Sequence, residues 1–115
     1  MRRGEIWLTD LEPIRGAEAS KRHPAVIVSN DQANRRAEQL GRGVVTVVPV
    51  TSNVSRVLPF QVLLIENGTG LGVPSKAQAE QVRSVDVSRL TTRLGQVPPA
   101  AVSDLDAALR LHLNL

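Results

Sequence analysis

Two nearly unbroken β-branched runs, residues 24–30 (PAVIVSN) and 43–51 (GVVTVVPVT), constrain this chain more than anything else in it. Branching at Cβ stiffens χ1 and favours the pleated strand, and a run without polar alternation needs cover on both faces. Both segments therefore predict central strands. Around them, residues 4–10 (GEIWLTD) alternate, residues 60–66 (FQVLLIE) form another apolar run before the Asn67-Gly68 turn, and residues 79–87 (AEQVRSVDV) alternate as one further strand. Residues 94–97 predict a short last strand. Pro49 lies inside the strongest run, where its missing N–H predicts a strand end, an edge or a bulge near Val50 and Thr51.

The period changes only at the C-terminus, where Val102, Leu105, Leu109 and His112/Leu113 recur at helical spacing behind Pro98-Pro99. This predicts a helix laying an apolar stripe on the sheet, with His112 packed at or beside that stripe. Residues 11–24 read as a long loop and 31–42 as a short helix or loop, with Arg35, Arg36 and Arg42 on a solvated face. In 115 residues there is room for one core. The expectation is a single domain over residues 1–115, mainly β with short helices: an antiparallel, SH3-like barrel closed by a C-terminal helix, not a layered α/β fold.

Composition removes several chemistries. The chain has no cysteine, which excludes disulfides, thiolate nucleophiles and Cys-ligated metals, and its two histidines, His23 and His112, lie far apart without metal-ligand spacing. Neither a metal nor a cofactor is expected. The N-terminal residues lead into only a short apolar stretch, so neither a secretory signal nor a membrane span is read there, and the expected location is the cytoplasm. A net charge of +3 points weakly to a polyanionic partner, while one Trp, one Phe and no Tyr leave no platform for stacked bases.

Several blocks then appear in order. Arg3-Gly4-Glu5-Ile6-Trp7-Leu8, Asp10-Leu11-x-Pro13, Gly16-x-Glu18 and Pro24-Ala25-Val26-Ile27-Val28-Ser29 resemble the opening of the MazF/PemK (Kid) toxins of type II toxin-antitoxin systems. Val48-Pro49-Val50-Thr51-Ser52 resembles the end of that family's central strand, and Glu80-Gln81-Val82-Arg83-Ser84-Val85-Asp86 with Arg89-Leu90 resembles its late strand. The ordered set covers nearly the whole chain. The resemblance implies a homodimer of CcdB/PemK-type barrels that cleaves single-stranded RNA sequence-specifically and without metal, neutralised by a cognate MazE-like antitoxin. It also implies an active-site pair, an arginine directly before the Pro of the second strand and a threonine closing the third.

Thr51 matches that threonine. At the arginine position this chain reads Arg22-His23-Pro24, so either Arg22 or His23 fills the place. Cleavage through the ribose 2′-OH needs a proton acceptor, a proton donor for the leaving 5′-oxygen and stabilisation of an anionic phosphorane. Arg22 can clamp phosphate, Thr51 can donate its hydroxyl, and His23 can exchange protons near neutrality. Alternatively His23 points to solvent and Arg22 acts alone. For RNA binding the resemblance adds Glu18, with Lys21 beside it in the same loop, the turn residues Ser52 and Asn53, and Gln81 with Arg83, which as residues two apart on one strand share a face. Trp7 is read as core.

Two other functions fit parts of the pattern. A CcdB-like toxin binding DNA gyrase through the terminal helix would concentrate distinctive side chains in residues 100–115, which hold few. An SH3-like binder of Pro-rich peptides needs an aromatic groove that one Trp and one Phe cannot build.

Overall fold

A computed structural model describes residues 1–11, 22–65 and 67–115. Strands β1 (Glu5–Asp10) and β2 (Arg22–Ile27) precede helix α1 (Asp31–Leu40), and β3 (Val44–Thr51), β4 (Gln61–Leu64), β5 (Ser75–Gln78), β6 (Arg83–Asp86) and β7 (Leu90–Gln96) lead to helix α2 (Pro99–Leu113). The strands form one antiparallel, barrel-like open sheet in the order β4-β5-β3-β2-β1-β7, with β6 also paired to β3. The SH3-like, mainly β expectation with a closing helix holds.

The β-branched runs are central because both of their faces are covered. Val26, Val48 and Val50 join Ile6, Val62 and Leu64 beneath Ala101, Leu105 and Ala108 of α2, while Ala25, Ile27, Val45 and Val47 join Val85, Val87 and Leu90 on the other side. Alanines on the buried stripe of α2 let its backbone approach the sheet closely, and Trp7 packs half-buried on the second core. His112 is exposed, contrary to the packed position expected: the buried stripe ends at Ala108, and the last turns of α2 run past the sheet into solvent. Residues 31–42 do form a helix, capped by the Asn30 side chain accepting from the Ala33 amide at 2.8 Å and ended by Gly41 in the left-handed region.

Of the strand expected over residues 79–87 only Arg83–Asp86 forms; Ala79–Gln81 is a 3-10 turn, and an unexpected strand, Ser75–Gln78, precedes it. Val50 pairs with Ala77 and Val47 with Arg83, so a step of three residues along β3 is opposed by a step of six. The surplus is taken up by the 3-10 turn Ala79–Gln81, a large bulge between β5 and β6 on one edge of β3. Pro49 sits opposite. The Val28 amide donates to Thr46 and the Val87 amide to Gly43, so even-numbered residues of β3 turn their backbone groups to β2 and odd-numbered ones to β5 and β6. At position 49 that second edge has no N–H to offer, and the ladder is interrupted there. The bulge expected from Pro49 thus forms in the facing chain, and β3 itself runs on to Thr51. The last strand is longer than expected, Leu90–Gln96, because it pairs along most of β1.

Glu5 ties the edge strand β7 to β1 and the N-terminal residues. Its Oε1 accepts from the Arg2 amide at 2.9 Å and from Trp7 Nε1 at 3.1 Å, and its Oε2 accepts from Arg93 Nε at 3.0 Å. Burial alone would raise its pKa; the hydrogen bonds from Trp7 and Arg2, with the charges of the amino terminus and Arg93, outweigh that and hold the carboxyl below the ordinary glutamate range. A depressed folded-state pKa stabilises the fold above the unfolded-state value, and that stability is lost as pH falls through the folded one. Glu5→Gln should cost on the order of 1–2 kcal/mol at neutral pH. Thermal melts of both proteins should show a Tm gap that is widest near neutral pH and closes as pH falls below the ordinary glutamate range; a gap independent of pH would refute this role.

Candidate functional site

A cleft of about 550 Å³ opens where β2, the end of β3 and the β5–β6 bulge meet. His23 and Pro24 enter from β2, Pro49, Val50 and Thr51 from β3, and Ser52 from the turn beyond. Gln78 and Gln81 stand at the two ends of the bulge, Arg83 starts β6, and Leu71 and Val73 arrive from the β4–β5 connection. That connection is set down closely on β7, where a Cβ at Gly70 would lie 2.0 Å from the Leu94 carbonyl oxygen, and Gly70 has a φ of +72°.

The β2–β3 register pairs Ala25 with Pro49; continued by two residues, it sets His23 across from Thr51. The pairing itself ends at Ala25 and Pro49; His23 and Thr51 lie two residues beyond it on their strands, and both line the cleft. Thr51 Oγ1 accepts from the Asn53 amide at 3.2 Å, which occupies a lone pair and leaves the hydroxyl proton free to donate into the cleft. Asn53 acts through its backbone; its side-chain Oδ1 accepts from Ser55 and shapes the turn.

Of the residues expected from sequence, His23, Thr51, Ser52, Gln81 and Arg83 line this one cleft. Arg22 is exposed at the start of β2, opposite Asp10, and does not line it. Glu18 and Lys21 lie outside the described residues. Gln81 and Arg83 do not share a strand as expected, since Gln81 ends the 3-10 turn and Arg83 begins β6; the turn, not strand alternation, brings both to the cleft. Arg83 Nη1 donates to the Leu11 carbonyl at 2.9 Å, which steadies the guanidinium at the cleft edge. Sequence reasoning missed Gln78 and Ser75, because the segment after Gly72 carries no periodic signal until Ala79. Among the described residues no group of three His, Cys, Asp or Glu side chains converges as metal ligands would.

The segment that follows Thr51 is pinned from behind. Lys76, only 9% exposed, donates from Nζ to the Arg56 carbonyl, and Gln61 accepts from the Leu58 amide at 2.9 Å while donating to Glu80 Oε2 at 2.6 Å. Lys76 also lies opposite Thr51 in the β3–β5 register, so this tether stabilises the segment beside the cleft. Lys76→Met keeps the aliphatic stem and removes the donor. Amide exchange over residues 52–58 should then speed up by about tenfold, with other strands unchanged; unaltered protection would show that the tether does not hold the segment.

A family model described as a PemK-like, MazF-like toxin of type II toxin-antitoxin systems matches residues 2–113. Endoribonuclease MazF9 of Mycobacterium tuberculosis (strain ATCC 25618 / H37Rv) is 60% identical over 115 residues, covering 100% of this chain and 98% of the relative. Among solved structures, an endoribonuclease in complex with its cognate antitoxin from a mycobacterial species superposes with a TM-score of 0.79 at 25% identity, covering 100% of this chain and 96% of that one. MazF from Deinococcus radiodurans gives a TM-score of 0.77 at 27% identity, covering 100% and 97%.

Proposed function

The chain belongs to the PemK-like, MazF-like family of type II toxins, and from that membership we propose that it is an endoribonuclease that cuts single-stranded RNA in the cleft of His23 and Thr51. The observation that carries the assignment of the site is that His23 and Thr51 line one open cleft, bringing an imidazole and a hydroxyl donor to the same opening. The reaction proposed needs no metal. The ribose 2′-oxygen attacks phosphorus as the bond to the 5′-oxygen breaks, giving a cyclic phosphate and a 5′-hydroxyl. His23 exchanges one of the two protons, from the 2′-OH or to the leaving 5′-oxygen, solvent water in the open cleft exchanges the other, and Thr51 donates its hydroxyl to a non-bridging phosphate oxygen. Arg22, which precedes His23 in β2 but does not line the cleft, is proposed to reach the phosphate from outside with its fork of donors.

Around that centre Ser52, Gln81 and Arg83 contact the RNA backbone and bases, with Asn53 holding the Thr51 turn; Glu18 and Lys21 are proposed contacts from the neighbouring loop. A cognate MazE-like antitoxin is the proposed partner, supported by the solved relative bound to its own antitoxin, and a homodimer is the proposed assembly. Among the described residues no helix is long and apolar enough to cross a membrane, and the cytoplasm is the proposed place of action. The gyrase-binding alternative gives way, because the full-length relative is an endoribonuclease.

Incubating the purified chain with long single-stranded RNA in excess EDTA should yield fragments with cyclic-phosphate and 5′-hydroxyl ends. Thr51→Ala should slow cleavage about 100-fold. His23→Gln should slow it by about 100-fold. Full activity in His23→Gln would move the role to Arg22, and no cleavage of varied RNAs by the wild type would overturn the reading.

A further inference from the structure

We infer that Gln78 reads one base of the bound RNA, an assignment that rests on the cleft being the RNA site. Its neighbourhood makes the case. Gln61 and Gln78 face each other across β4 and β5, yet they differ in what their carboxamides do. Gln61 is buried and uses both ends, accepting from Leu58 and donating to Glu80. Gln78 is half-buried, lines the cleft and, among the described residues, makes no side-chain hydrogen bond. The carboxamide is reached by solvent on the cleft wall and is not engaged by the described residues, so its donor and its acceptor are both available to a ligand that enters the cleft.

Position says which part of the ligand. Thr51 opposes Lys76, and Gln78 lies two residues further along β5 on the same side, about 7 Å away. A phosphate held at Thr51 therefore brings the base of an adjacent nucleotide within reach of Gln78. Leu71 and Val73 line the same cleft and supply an apolar surface for the flat face of that base, in a chain with almost no aromatic side chains to stack on. A carboxamide presents its N–H and C=O side by side and pairs with a base edge that offers an acceptor next to a donor, as the Watson–Crick edges of single-stranded bases do. Gln78 thus contributes to base choice at one position beside the scissile bond.

The test is to cut a randomised single-stranded RNA pool with wild type, Gln78→Leu and Gln78→Glu, then sequence the new ends. The base preference at one position next to the cut should fall about tenfold in Gln78→Leu and change in Gln78→Glu, whose carboxylate can only accept. Preferences elsewhere should stay as they were. An unchanged base profile in both variants overturns the assignment, whatever happens to the overall rate. If either variant cuts too slowly to profile, the same substitution is made in a Thr51→Ala background and binding of oligonucleotides differing at that one base is compared by fluorescence anisotropy; equal discrimination with and without Gln78 overturns it too. Failure of the wild type to cut any RNA would instead remove the nuclease reading, and the two failures are told apart by the wild-type lane alone.

Discussion

Pro49 has no amide hydrogen to give the edge of β3 that turns away from β2, and the facing chain leaves the ladder at that point for the 3-10 turn Ala79–Gln81. Most of the site depends on this gap. Because β5 ends and β6 begins on opposite sides of it, Gln78, Gln81 and Arg83 are splayed around one opening instead of alternating along a single strand. Because β3 itself does not stop at the proline, it carries Thr51 to the same opening, across from His23. An interrupted ladder beside an uninterrupted strand is what turns a sheet edge into a cleft.

The cleft is built from amides, hydroxyls and one imidazole, with the arginines at its margins. This division suits the chemistry. Guanidinium groups are always charged and draw phosphate from a distance, but they exchange protons poorly; imidazole does so near neutrality. Thr51 contributes a hydroxyl with one lone pair taken by the Asn53 amide and its proton still available to donate. With few aromatic side chains available, contact with bases falls to aliphatic surface and to carboxamides.

Rigidity near the cleft comes from buried polar contacts as much as from packing. Ser29 and Asn34, the latter fully buried, exchange hydrogen bonds that lock α1 onto the start of the β2–β3 connection, and Ser29 Oγ also accepts from the Thr46 amide at 3.1 Å. On the other side of the sheet Lys76, Gln61 and Glu80 perform the same service for the segment after Thr51. Glu5 couples the outer strand β7 to the N-terminal residues, so the charge that stabilises the sheet lies far from the cleft.

What the sequence determined by itself was set by local physics. β-branched runs have to be buried strands, Pro98-Pro99 followed by helical spacing has to start a helix, and a chain with no cysteine and scattered histidines has to work with other groups. The ordered motifs marked the family, with Thr51 and the Arg22-His23-Pro24 segment as its chemical centre. Tertiary structure decided what depends on a partner strand. Residues 79–87 alternate and read as one strand, yet the ladder that would make them one has no donor at Pro49, a fact that lies thirty residues earlier and across the sheet. The same pairing placed His23, not Arg22, on the cleft wall and turned Gln78 from an unmarked residue into part of that wall, because which side of a strand a residue takes is set by its register against a neighbour and not by its own identity.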